Sequence, residues 1–214
     1  MDIHILFFIL VVILVVILIM LNFSKLYYTP NCPVMLVLGD SISSEHGLPS
    51  GAGWVALLAQ EKFSCKIENA SISGETTSGG RDRLPALLQQ HQPDIVIIQL
   101  GGNDVLEGYP LDIAKENLQF MIDACQSTNA KVLLLGMHAP PKYEADYHAE
   151  FSHVFIDLSK TNKTGVVPFL MEGVADAVWF QSDLIHPNAA AQPHILNNVL
   201  PELNKLILSF KPNQ

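Results

Sequence analysis

Beyond residue 33 the chain alternates short, nearly continuous apolar runs with longer stretches that are apolar at every third or fourth position. The runs are VMLVLG (34–39), CKIENA (65–70), DIVIIQLG (94–101), KVLLLGM (131–137) and GVVPFL (165–170). A strand with one wet face alternates apolar and polar residues, whereas continuous apolarity fits strands covered on both faces. The longer stretches predict helices over 53–62, 80–91, 111–127, 143–161 and 188–208, with Pro187 leading into the last one. Strand, helix, strand succession requires right-handed crossovers between parallel neighbours. The pattern therefore predicts a three-layer α/β/α sandwich on a parallel sheet of about five strands. Such sheets bind ligands outside the carboxyl ends of their strands, so the residues that follow each run carry the interest.

The first 23 residues follow another pattern, with an unbroken apolar run over 5–21. At about 1.5 Å per residue such a helix nearly spans a hydrocarbon core of about 30 Å, and a helix pairs all its backbone groups internally. No Lys or Arg precedes the run, the run is long, and no small-residue cleavage pattern ends it, which favours an uncleaved anchor over a signal peptide. The expected organisation is a single-pass membrane anchor at 1–23, a linker at 24–33, one domain at 34–210 and a tail at 211–214. Lys25, on the domain side of the run, taken alone favours a cytoplasmic domain.

Composition narrows the partners. The formal net charge is −9, from 12 Lys and Arg against 21 Asp and Glu, so a phosphate backbone would be repelled and no nucleic-acid partner is expected. The three cysteines are too few and too scattered for a disulfide framework or a metal site. Cys65 in a strand-like run and Cys125 on a helical pattern read as buried thiols rather than a bridge, and Cys32 lacks the context of a lipidated residue. GAGWVA (51–56) fits a dinucleotide fingerprint but follows a Pro-Ser loop instead of a strand. Glu150 and His153 form a lone Glu-x-x-His without the second copy that a bridged metal pair needs. No cofactor and no metal are expected, and a monomer is favoured.

Candidate chemistry lies at the strand ends. Ser41 follows the first run, and a serine becomes a nucleophile only when a base, itself oriented by an acid, removes its proton. His186 in SDLIHPN is the best-placed base, with Asp183 three residues before it as the orienting acid. Asn103 in QLGGND could offer its side-chain amide to a developing oxyanion, although Gly-Gly-Asn-Asp also suits a plain turn. Gly74 in NASISGET could offer a backbone N–H, or could simply be a strand-to-helix glycine. Each signal is weak alone; their coincidence at four strand ends is not. His46 and His138 sit on loops beside the expected groove, together with Pro140 and Tyr143, while His91, His148 and His194 read as helix-surface residues.

GDSIS, ASISGET, GGND and DLIHPN, in that order, resemble the four sequence blocks of the SGNH (GDSL-type) hydrolases. LPALLQQHQPDIVIIQLGGND looks like the acyl-CoA thioesterase, lysophospholipase and arylesterase branch, and the similarity covers about residues 34 to 205. The resemblance implies the flavodoxin-like SGNH fold and a serine esterase with Ser41 as nucleophile, His186 as base and Asp183 as its orienter. It implies an oxyanion hole from the N–H groups of Ser41 and Gly74 and the side chain of Asn103. It also implies acyl esters, thioesters or lysophospholipids as substrates, no metal, and an extracytoplasmic domain. Two stretches depart from the pattern: SSEHGL, where relatives often carry Ala-Gly, and HAPPKYEADY, where they often carry Pro-x-Asn-Tyr-Gly. Both bear on substrate choice. A carbohydrate O-acetyl esterase is the alternative enzyme. An inactive, anchored binding module is the alternative without catalysis, although Ser41, Asp183 and His186 are all retained.

Overall fold

A computed structural model describes residues 32–61, 65–139, 143 and 145–210. The expected anchor, most of the linker and the tail lie outside these residues. Among the described residues no helix is long and apolar enough to cross a membrane.

Five parallel strands form one sheet: β1 (Met35–Gly39), β2 (Ile67–Asn69), β3 (Ile95–Gln99), β4 (Lys131–Leu135) and β5 (Gly165–Val167). Their spatial order is β2-β1-β3-β4-β5, with Met35 level with both Ile67 and Ile95. Every residue of β1 and β3 is buried, as the continuous apolar runs required of strands covered on both faces. The edge strands β2 and β5 are shorter and only partly buried.

The helices are α1 (Trp54–Gln60), α2 (Thr77–His91), α3 (Gly102–Glu107), α4 (Leu111–Ser127), α5 (Ala145–Asn162) and α6 (Gln192–Leu208), with a 3₁₀ turn at Ala177–Trp179. One group pairs α1 with α6; the other packs α2 on α4 and α4 on α5. Trp54, Phe151, Phe155 and the aliphatic residues of β1 and β3 are fully buried between sheet and helices. Burial of each such side chain is worth about 1.5–3 kcal/mol.

Three expectations need correction. Gly-Gly-Asn-Asp is not a bare turn: residues 102–107 continue it as the short helix α3, which starts from Gly101 at φ +116°. The last helix begins at Gln192, and Pro187 instead pairs with Phe180 across an antiparallel bridge. The Asn188 side chain accepts from the N–H groups of Ala190 and Ala191, which turns the chain before α6 begins.

The third correction concerns the cysteines. Cys32 and Cys65 are disulfide-bonded, and Cys125 is the free thiol. The bridge escapes a reading along the chain because its cause is the sheet register. Met35 and Ile67 lie side by side on neighbouring parallel strands, so residues three and two positions upstream enter the sheet together. Cys125 is buried as expected, and that burial pushes its thiol up to about 12.

Candidate active site

The chain leaves β1 toward β2 on one side and returns to β3 on the other, so the strand order reverses between β1 and β3. Crevices at such switch points are where open α/β sheets bind ligands. Asp40 and Ser41 follow β1, and Gly101 to Asn103 follow β3.

After β1 the chain curls at once into a tight turn. The carbonyl of Asp40 accepts from the N–H groups of Ser43 (3.2 Å) and Ser44 (3.0 Å), while its carboxylate accepts from Ile42 N (3.0 Å). The turn closes so tightly that a Cβ on Gly39 would meet Ser43 Oγ at 2.8 Å and Gln99 Oε1 at 2.9 Å. Asp40 is 3% exposed, and burial pushes its carboxyl up to about 6 against the opposing hydrogen bonds from Ile42 and Gln99.

Beneath the turn runs a buried polar chain. Gln99 Oε1 accepts from Ser43 Oγ (2.7 Å) and Asp40 N (3.3 Å), and Ser43 Oγ accepts from the Trp54 indole (3.2 Å). The Trp54 backbone N–H donates to Gln192 Oε1 (3.0 Å), whose amide nitrogen donates to the carbonyls of Asn188 (3.3 Å) and Pro187 (3.4 Å). The serine turn thus reaches the segment that follows His186 through hydrogen bonds inside the molecule.

Asn103 and the loop of Gly74 meet over Asp40. The Asn103 amide nitrogen donates to the Glu75 carbonyl at 2.9 Å and faces Asp40 Oδ2 at 3.4 Å. Gly74 sits at φ +79° with open space where a Cβ would be, so backbone conformation and not crowding calls for glycine there. Arg83 holds this loop from below, donating to the Glu75 carboxylate (2.7 Å from Nε) and to the Ala70 carbonyl (3.1 Å). Buried Asp104 accepts from both the N–H (2.9 Å) and the hydroxyl (2.5 Å) of Thr77, fastening the start of α2.

His186 Nδ1 lies 2.7 Å from Asp183 Oδ2. The other carboxylate oxygen accepts from the backbone N–H groups of His186 (3.0 Å) and Ile185 (2.9 Å). These bonds, the His186 N–H foremost, hold the Asp183 carboxyl well below the usual carboxylate range. An ionised carboxylate only accepts, so Nδ1 carries the hydrogen and Nε2 of the neutral ring is left as the basic nitrogen.

The serine turn and the His186 loop are joined by His46. Its ring packs 4.4 Å from the ring of His186, its N–H donates to the Ser41 carbonyl (3.4 Å), and its own carbonyl accepts from Gln181 Nε2 (2.8 Å). His46 Nδ1 also lies 3.3 Å from Ser73 Oγ, beside Gly74.

The remaining groove residues are placed otherwise. The ring of His138 is stacked on Phe169 at 3.7 Å, at the ends of β4 and β5. The Tyr143 hydroxyl donates to the Val105 carbonyl and its ring stacks on Tyr147, so it ties the start of α5 to α3. Pro140 lies outside the described residues. The glycines of GAGWVA have their own anion: the Glu45 carboxylate accepts from Gly51 N (3.2 Å) and Gly53 N (2.9 Å). Among the described residues no cluster of His, Cys, Asp or Glu could hold a metal.

Comparison with known proteins follows the same residues. Residues 37–192 match the GDSL-like lipase/acylhydrolase family. The chain belongs to that family. It is 46% identical over 178 residues to esterase TesA of Pseudomonas aeruginosa, covering 81% of this chain and 89% of that protein. It is 39% identical over 176 residues to thioesterase 1/protease 1/lysophospholipase L1 of Escherichia coli K12, covering 81% and 84%. Vibrio mimicus arylesterase is 37% identical, covering 80% and 88%. The crystal structure of TesA superposes with a TM-score of 0.78 over 81% of this chain and 99% of that one. Esterase EstA from Pseudoalteromonas gives 0.77 at 35% identity, over 82% and 99%. The acylhydrolase is accordingly a hydrolase of ester bonds.

Reading along the chain singled out Ser41, Gly74, Asn103, Asp183 and His186 but passed over Asp40, Gln99 and Gln192. Asp40 stands inside the quoted GDSIS block, so its signal was available. Gln99 and Gln192 read as an ordinary strand end and an ordinary helix residue; only the tertiary contacts reveal their part.

Proposed function

We propose that this acylhydrolase cleaves single-chain acyl esters and thioesters through an acyl-enzyme on Ser41. The observation that carries this reading is the Asp183–His186 pair, which leaves a basic Nε2 on a ring joined through His46 to the serine turn. Nε2 takes the Ser41 proton as Oγ attacks the acyl carbon. The tetrahedral oxyanion is held by the N–H groups of Ser41 and Gly74 and by the Asn103 amide, whose second hydrogen faces only the long contact to Asp40. His186 then gives its proton to the departing alcohol or thiol, and water reverses the sequence to free the acid. Asp183 keeps the ring in the working tautomer throughout.

Lysophospholipids, acyl thioesters and aryl esters are the substrate classes proposed. They are the classes named for the relatives from E. coli and V. mimicus. Residues 1–23 anchor the domain to a membrane, and the domain faces an oxidising, extracytoplasmic compartment. The Cys32–Cys65 bridge supports that side, because disulfides rarely persist in a reducing cytoplasm. A fluorophosphonate probe tests the chemistry: it should label the protein at Ser41 and fail to label the Ser41→Ala variant. Equal labelling of both proteins would remove Ser41 from the reaction.

A further inference from the structure

Leu184 lies between Asp183 and His186 in an unusual state. Its φ is +56°, a left-handed conformation that leucine rarely adopts, and it is 67% exposed. Packing does not account for a leucine here, since burial contributes little at that exposure. The loop holds it firmly nonetheless. Gln181 N donates to the His186 carbonyl (2.8 Å), Leu184 N to the Gln181 carbonyl (3.0 Å) and Ile185 N to Asp183 Oδ1 (2.9 Å). Strained residues kept in place this way collect at sites where the side chain has work to do.

The surroundings are apolar as well. Ile185, the next residue along the chain, is 52% exposed. The Asp183 carboxylate on the other side is engaged by His186.

We infer that Leu184 is a specificity-determining residue that contacts the alcohol part of the ester and selects an apolar one. The side follows from the proton path, and the inference rests on the serine-esterase reading above. His186 delivers its proton to the leaving oxygen, so the alcohol lies against the loop that carries His186. The oxyanion points the other way, toward Asn103 and Gly74, and the acyl chain extends from the remaining bond of the carbon.

The test compares two ester series on the full chain. In one, acetyl is constant and the alcohol grows from ethyl to hexyl, which leaves the leaving-group chemistry nearly unchanged. In the other, p-nitrophenol is constant and the acyl group grows from acetyl to hexanoyl. A fully buried methylene is worth about fourfold, so partial contact along a hexyl chain should raise kcat/KM by about tenfold over ethyl. Leu184→Asn, which suits a positive φ, should flatten the alcohol series, leave the acyl series unchanged, and unfold at the same or a higher temperature. Leu184→Gly should behave alike. A variant that keeps the wild-type slope with alcohol length, or loses the acyl slope instead, overturns the inference alone. A wild-type protein inactive on every ester overturns the serine-esterase reading and this inference with it.

Discussion

Asp183 accepts three hydrogen bonds from the residues just after it: one from His186 Nδ1 at 2.7 Å and two from the backbone N–H groups of Ile185 and His186. The carboxylate therefore shapes the loop and orients the imidazole at once. In Asp183→Asn the amide can still accept from the backbone, but its NH₂ would face Nδ1 and favour the wrong tautomer. Turnover of p-nitrophenyl acetate should fall by about 10²–10⁴-fold with little change in thermal midpoint. A matching loss of stability would reduce Asp183 to a loop residue.

Asn103→Ala removes the amide that spans Glu75 and Asp40. Loss of one oxyanion donor typically lowers kcat by about a hundredfold or more, so kcat should drop with KM nearly constant. Steady-state kinetics on one soluble ester decides it; a rise in KM alone would place the side chain in ground-state binding.

Asp40 predicts a stability that depends on pH with an unusual sign. Its folded pKa of about 6 exceeds the ordinary carboxyl value of 3.8, so between those limits the folded state binds the proton more tightly. Its contribution is fully present below the lower limit and is lost as pH rises through the upper one, a loss of about 3 kcal/mol. Asp40→Asn should therefore gain stability over wild type at pH 7 and lose that advantage near pH 4, as read by urea denaturation at both pH values. Its turnover should fall, because an amide NH₂ would confront Asn103 Nδ2. An advantage independent of pH would contradict the account.

The disulfide between Cys32 and Cys65 closes a loop of about 34 residues, for which chain entropy suggests about 3–4 kcal/mol of stabilisation. Cys32→Ser with Cys65→Ser should lower the thermal midpoint by several degrees and leave kcat/KM on a soluble ester close to wild type. The bridge lies at the amino ends of β1 and β2, and the chemistry lies at the carboxyl ends. Unchanged melting would show that the bridge constrains little.

The strands and their parallel, helix-covered layering were legible because β1, β3 and β4 are buried on both faces and written almost entirely in Val, Ile and Leu. Ser41 and Asn103 stand out as candidates because each lies in a short block just after a strand, β1 and β3, and Asp183 with His186 because a carboxylate precedes an imidazole by three residues. The structure brings Asp183 to His186 and Asn103 to the serine turn. What stayed hidden depends on register and on distant side chains. The bridge needs Met35 beside Ile67, and the engagement of Glu45 with Gly51 and Gly53 needs the curl of the serine turn. The start of α6 shifted because Asn188 uses its side chain to turn the chain, which places helix residues 188–191 of the expectation in a loop.

Gln99 closes the middle strand and touches no reactant, yet it grips Ser43 and the backbone of Asp40 from below. Exchanging it for leucine strands the Ser43 hydroxyl and the Asp40 N–H without their enclosed acceptor, at a cost of about 1–3 kcal/mol for each donor left unpaired. A screen for turnover would register the change at once. In this enzyme the foundations of reactivity extend a full layer deeper than the groups that meet the ester.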